Sequence, residues 1–319
     1  MIPKKIFIKK LNFKKELKRL DLALSEYINV YSRSKIKKLI INGLVKIQKK
    51  KILNPKKKFY KLKNIEINVK DLKKISKKKI NFKIIYEDDD LIIIDKPNGL
   101  VVHHGVNNLH GTLFDELINY YPNISNIPRA GIINRLDKNT TGLLIVAKTL
   151  YSFNKLKLYL NKKKIIRKYK AITLGKINSP GTIKSYILRH KKKRNKMSIN
   201  NSKGRYSITH YSIIKKFKYN TYIKLCLDTG RTHQIRLHMS SINHPLVGDC
   251  LYGKIINFPK NTPSFFSKKI NKFKRQALHS YLLKFSHPVT SKKMTYCSEI
   301  PKDMKDLIKI IIKHDKLKF

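Results

Sequence analysis

The sequence predicts an α+β protein in two parts: a small αβ domain, then a larger one on a mainly antiparallel, mixed β-sheet with flanking helices. Three observations carry this. After residue 165, segments of strand character follow one another through short local connections, with few helical crossovers. Near the N-terminus, two short amphipathic helical patterns are followed by small strands. Between these regions, Asp71 to Lys79 is dense in lysine, and like charge keeps such a stretch solvated. The predicted divisions are a basic lead-in at 1–16, a small domain at 17–75, a linker at 76–82 and a second domain at 83–319.

Arg19-Leu20-Asp21-Leu22-Ala23-Leu24 starts a first helix, with Leu20, Leu24 and Tyr27 at helical spacing. Ser32-Arg33-Ser34 offers an N-cap for a second helix, Lys35 to Asn42, whose Ile36, Leu39 and Ile40 share a face. Gly43 suits the position just past its end. Strands follow at 45–47 and 65–69. Arg19, Arg33 and Lys35 fall on the polar side, where a surface reading the backbone of structured RNA would carry its cations.

The second domain opens with strands at 84–86 and 91–95, joined by an acidic turn and stopped by Lys96-Pro97. A helix capped by Thr112 runs to Tyr120, and another covers Tyr151 to about Lys163. Between them, Gly131-Ile132-Ile133 and Leu143 to Ala147 read as strands around the turn residues Lys138 to Gly142. Asp137 thus falls where a strand gives way to a turn, with Arg135 two residues earlier. Strands are predicted at 169–174, 182–188, 206–214, 222–227, 276–285 and 293–297. Thr232 caps a helix carrying Ile235, Met239 and Ile242, residues 254–275 form a polar loop, and a helix closes the chain at 302–313.

The 319 residues include 73 Lys+Arg against 19 Asp+Glu, a net charge of +54. Such a balance points to a polyanionic partner. The wealth of Lys, Ile and Asn is also the residue set of A/T-rich codons, so charge permits RNA binding more than it demonstrates it. The longest apolar runs fall far short of the roughly 18–20 residues of a spanning helix, and no secretory signal is present. Cys226, Cys250 and Cys297 are far apart, without metal-ligand spacing, and suit a reducing cytoplasm. No metal, nucleotide loop or membrane partner is expected, and nothing points to an obligate dimer, so a monomer is predicted.

Taken alone, Asp137 is explained more simply as a residue that starts a turn and caps the amides after it. Tyr169 alone is an ordinary strand aromatic, Arg231 and Arg236 suit phosphate contacts, and the histidines suit loop anchoring. What changes the reading is several stretches in one order: Y-E-D-D-D-L-I-I-I-D-K-P-N-G-L at 86–100, I-N-R-L-D-K-N-T-T-G-L-L at 133–144, K-Y-K-A-I-T-L-G at 168–175, T-G-R-T-H-Q-I-R-L-H at 229–238, H-P-L-V-G-D-C-L-Y-G at 244–253 and R-Q-A-L-H-S at 275–280. Together they resemble the RluA family of RNA pseudouridine synthases over essentially the whole second domain. The R-L-D, S-R-S and I-x-x-G-x-V pattern of the first resembles the S4 RNA-binding domain.

The resemblance implies a cofactor-free isomerase acting on large-subunit ribosomal RNA, with a stem-loop at the subunit interface as target. It makes Asp137 the essential carboxylate, Arg231 its ion-pair partner and Tyr169 the aromatic packed on the uracil. Arg135 would fill the gap left by a flipped-out nucleotide. Ile235 becomes core or a lid on the base, Lys96 shapes the pocket floor and Arg236 contacts RNA. Two departures stand inside the central motif: Asn134 where the family has His, and Asn139 where Asp is common. Rival readings are a non-catalytic ribosome-assembly factor that binds RNA, and a related synthase acting on tRNA or another rRNA loop.

Overall fold

The computed structural model describes residues 5–12, 17–28, 33–68, 82–105, 108, 110–190, 192–193, 195–253 and 262–316. Two compact units divide at Lys78/Lys79. The predicted linker lies, except for Phe82, outside the described residues.

In the first unit, β1 (Lys5–Asn12), β2 (Lys18–Arg19), α1 (Leu20–Tyr27), α2 (Arg33–Ile41), β3 (Val45–Ile47), β4 (Lys50–Lys51), β5 (Lys58–Phe59) and β6 (Lys61–Asn68) enclose a small core. Leu20 and Leu24 of α1 meet Ile36, Leu39 and Ile40 of α2 over Ile65 and Ile67 of β6. Gly43 takes a φ of +67° just past α2, as its position predicts. The supposed lead-in is corrected here: β1 pairs antiparallel with β6 from Lys5↔Asn68 to Asn12↔Lys61. Its alternation is obscured by lysines, yet Ile8 and Leu11 are buried in the core.

The second unit is built on β7 (Lys83–Glu87), β8 (Leu91–Lys96), β9 (Thr141–Ala147), β10 (Ile166–Leu174), β11 (Gly181–Arg189), β12 (Met197–Asn200), β13 (Arg205–Lys216), β14 (Asn220–Leu227), β15 (Leu278–Ser286) and β16 (Lys293–Cys297). The sheet order is β12-β11-β13-β14-β10-β15-β9-β8-β7, with β16 also on β15. The β9–β15 pairing is parallel, and the other strand pairs are antiparallel, so the sheet is mixed as expected. Leu143 to Ala147 are fully buried, which explains why β9 reads as one continuous apolar run.

Around the sheet lie α3 (Leu113–Tyr120), α4 (Leu150–Asn161), α5 (Gln234–Ser241), α6 (Ser264–Lys272) and α7 (Lys302–Lys316). At the start of α3, the Asp115 carboxylate accepts from both the Thr112 amide and its hydroxyl, at 3.0 Å each. The polar loop predicted at 254–275 instead contains α6, because Phe266 and Ile270, four apart, bury against Met304, Leu307 and Ile311 of α7. The expected cap at Thr232 is displaced to His233, whose φ of 56° precedes α5.

Candidate active site

The segment before β9 is not a regular strand. Ile132 makes an isolated bridge to Val146, and residues 133–140 run as extended chain and turn. Gly142, expected in the turn, lies within β9 with φ +108°. A Cβ there would stand 2.2 Å from the Ser280 carbonyl oxygen, so the glycine is what lets β9 lie against β15. Ser280 in turn lies opposite Tyr169 of β10. This register brings the Asp137 loop and Tyr169 to one cavity of about 320 Å³.

Backbone groups of that loop are held from below. Lys96, fully buried, donates to the carbonyls of Pro97, Leu100 and Lys138 at 2.8, 2.9 and 2.9 Å. Arg275 donates to the Asn139 carbonyl at 3.2 Å while its other nitrogens grip Asp303. Gln276 Nε2 reaches Thr140 Oγ1 at 3.0 Å, and His279 Nδ1 meets Thr141 Oγ1 at 2.9 Å. The R-Q-A-L-H-S stretch and Lys96 therefore fix the turn that carries Asp137, residue by residue. Burial pushes the Lys96 ammonium down to about 7, the nearby Asp137 opposing that shift. Three carbonyl acceptors nonetheless match the three N–H bonds of the charged form.

The ion pair differs from the expected one. Arg236, not Arg231, donates through Nη1 to Asp137 Oδ2 at 2.9 Å. The same guanidinium makes a two-pronged bond to Asp249, Nε to Oδ2 at 2.7 Å and Nη2 to Oδ1 at 2.8 Å. Helix geometry is the reason: Arg236 sits inside α5 on its buried side, whereas Arg231 lies in the preceding turn. There the Arg231 amide donates to Gln234 and its side chain reaches the Tyr206 carbonyl at 3.4 Å. Burial opposes the charge on Arg236, but its bonds to Asp249 and Asp137 outweigh this and raise its pKa; Asp249 is correspondingly lowered, Arg236 overcoming its burial.

The cavity is lined by Asp137, Tyr169, Arg231, Ile235 and Arg236, and also by Asn134 and Arg135. Arg135 is exposed, while Ile235 is 4% exposed. Tyr169 is enclosed, and burial, with the field of Asp137 adding to it, pushes its hydroxyl up despite Arg167 and Ser280, so it is protonated at neutral pH. His233 Nε2 stands 3.9 Å from Asp137 Oδ1 and is lowered by burial. Asn134 answers part of the question its substitution raises: its Oδ1 accepts from the Ile145 amide at 2.9 Å, a bond that needs no titrating group.

Sequence reasoning overlooked three participants. Asp249 acts through Arg236, thirteen residues before it in the chain. His103, pushed to about 4 by burial and then by Arg129 and Arg135, lines the cavity as a neutral ring. Arg167 lines it too. The Asp of V-G-D stood inside a quoted motif, whereas Arg167 falls one residue before the K-Y-K-A stretch.

In the first unit, Arg19 and Arg33 converge on buried Asp21, Arg19 through two bonds at 3.0 and 2.9 Å and Arg33 at 3.1 Å. One carboxylate thus answers two guanidiniums that stay partly exposed. The Lys35 side chain lies outside the described residues. Asp88, Asp90 and His287 bring ligand atoms within 4.8 Å of one another. However, His287 Nδ1 accepts from the Val289 and Thr290 amides, so Nε2 carries the proton toward Asp88 and has no lone pair for a metal.

A family model described as RNA pseudouridylate synthase matches residues 90–241. The ribosomal large subunit pseudouridine synthase D of Escherichia coli K12 is 42% identical over 295 residues, spanning 92% of this chain and 90% of that protein. The protein of the same name from Buchnera aphidicola subsp. Schizaphis graminum is 46% identical over 296 residues, spanning 91% and 93%. Human RNA Pseudouridylate Synthase Domain Containing 4 shares the fold at a TM-score of 0.57 and 21% identity, over 72% of this chain and 92% of that one.

Proposed function

The chain belongs to the RluA family of RNA pseudouridine synthases, and from that premise we propose that it isomerises uridines of large-subunit ribosomal RNA, with Asp137 as the essential carboxylate. The observation that carries the reading is the Asp137–Arg236–Asp249 chain of ion pairs opening onto a cavity walled by Tyr169. The substrate class rests on the names of relatives that align over nine-tenths of this chain.

The reaction breaks C1′–N1 of uridine and forms C1′–C5; the C5 hydrogen leaves as a proton and N1 gains one. No electrons are exchanged and no group is added. Asp137 assists departure of the base at the ribose, covalently or through acid–base steps. Arg236 pairs with that carboxylate and keeps it aimed. Tyr169, protonated, offers a ring face and a donor, and is not a ready-made base. Ile235 closes the apolar side, and Arg135 occupies the stack left by the extruded nucleotide. The first unit, with Arg19 and Arg33 held by Asp21, acts as an RNA-backbone surface of S4 type. The protein works in the cytoplasm, as a monomer, where ribosomal RNA is found.

Tritium release from C5-labelled uridine in ribosomal RNA tests this, beginning with the stem-loop at the subunit interface. Wild type releases tritium and Asp137→Ala does not; an equally active Asp137→Ala protein sinks the mechanism. Wild type that binds this RNA yet isomerises no uridine in it favours the assembly-factor reading. Pseudouridine mapping with and without the gene separates rRNA from tRNA targets.

A further inference from the structure

Arg167 is the one side chain of the cavity wall whose charge the protein leaves unanswered while burying it. It is 4% exposed, yet it lines the cavity. Its Nε has no hydrogen-bond partner, and Nη2 makes a long 3.3 Å bond to the Leu227 carbonyl. Neither cavity carboxylate serves it: Asp137 is held by Arg236, and Asp228 by Lys163 at 3.0 Å with His210 at 3.3 Å. Among the described residues no carboxylate forms an ion pair with it. A buried guanidinium cannot shed its proton, so an unpaired one is costly and asks for an anion from outside.

The surroundings are shaped for that anion. Arg167 and Tyr169 alternate with exposed or half-buried neighbours on β10 and both face the cavity. Two residues along a strand span about 7 Å, the scale of one nucleotide. Gly230, in the T-G-R turn, makes room: a Cβ there would stand 2.6 Å from Arg167 Nη1. Arg231, beside it, adds a second cation at the same wall. Uracil carbonyls are neutral and would leave the charge uncompensated; a phosphodiester answers both its charge and its fork of donors.

We propose that Arg167, admitted by Gly230, is the receptor for a backbone phosphate flanking the uridine that is isomerised. The contact fixes the nucleotide through its backbone while Asp137 and Tyr169 address its ribose and base. It rests on the pseudouridine reading, and the test separates the two.

The substrate is the shortest ribosomal RNA stem-loop that wild type isomerises, made with an uncharged methylphosphonate at either phosphate flanking the reactive uridine. For one position, wild-type kcat/KM falls about ten- to a hundredfold. Arg167→Gln loses as much on natural RNA and less than about twofold more on the neutral one. Gly230→Ala, which displaces the end of a flexible side chain and leaves the strand intact, behaves likewise. The proposal is overturned if neither neutral linkage affects wild type, or if variant and linkage losses multiply. A second arm needs no turnover: wild type gains more thermal stability from inorganic phosphate than from chloride of equal ionic strength, and Arg167→Gln loses that excess. A variant that keeps the whole excess also overturns it. Wild type that isomerises no ribosomal RNA uridine would count against the pseudouridine reading, and the phosphate arm would still decide this one.

Discussion

Asp249→Asn is the perturbation that tests whether the site is built as a chain of ion pairs. The Asp249 side chain is fully enclosed, so it touches no RNA and acts on the reaction only through Arg236. It accepts two bonds from Arg236, at 2.7 and 2.8 Å, and its Oδ1 also accepts from the Leu251 and Tyr252 amides at 2.9 and 3.1 Å. Asparagine keeps one oxygen for the amides but turns an N–H toward Arg236 Nε and removes the negative charge. One charge-assisted bond is lost outright and the other weakened, which destabilises the fold by about 2–4 kcal/mol. Arg236, left with Asp137 as its sole carboxylate, is then free to swing, and misplacing the reacting carboxylate by an ångström is worth about a hundredfold. The measurement is single-turnover isomerisation alongside RNA affinity and urea melts. The expected result is a kcat lower by about ten- to a hundredfold with RNA affinity within about twofold of wild type. A protein with the predicted loss of stability but an unchanged kcat would show that Asp249 merely braces the fold.

Lys96→Met removes the donor to the carbonyls of Pro97, Leu100 and Lys138, and lowers kcat by freeing the Lys138 turn. Its stability relative to wild type also depends on pH. The folded pKa of Lys96 lies near 7, below the usual lysine value, so between the two the unfolded chain binds more protons. Wild-type stability therefore rises across that window by up to about 1.4 kcal/mol per pH unit from this group, and falls back as pH drops to 7. Urea melts at stepped pH should show that rise missing from Lys96→Met; parallel curves would refute it. Gly142→Ala forces a Cβ to 2.2 Å from the Ser280 oxygen at a φ of +108°, destabilising by about 2–5 kcal/mol; thermal melts check this, and a shift within error would mean β9 and β15 separate easily.

Family and fold were legible because ordered motifs carry both, and because buried strands such as Leu91 to Ile94 and Leu143 to Val146 announce themselves by apolar continuity. What escaped were features set by distant partners. The β1 strand hid because Lys9 and Lys10 break its alternation, and its apolar face has meaning only against β6. The α6 helix hid in a polar stretch because two residues, Phe266 and Ile270, supply its buried contact and α7 supplies the surface. In T-G-R-T-H-Q-I-R, two arginines stand five residues apart, and local sequence gives no reason to prefer either as the partner of Asp137. The deciding fact is that His233 takes a left-handed φ, so the cap is His233 and not Thr232, and the helix begins at Gln234. That start turns Arg236 inward to where Asp249, thirteen residues later, grips it from the far side. The carboxylate that names the motif is thus aimed by a residue outside it, and the arginine beside the glycine is left at the cavity wall, next to the unpaired Arg167.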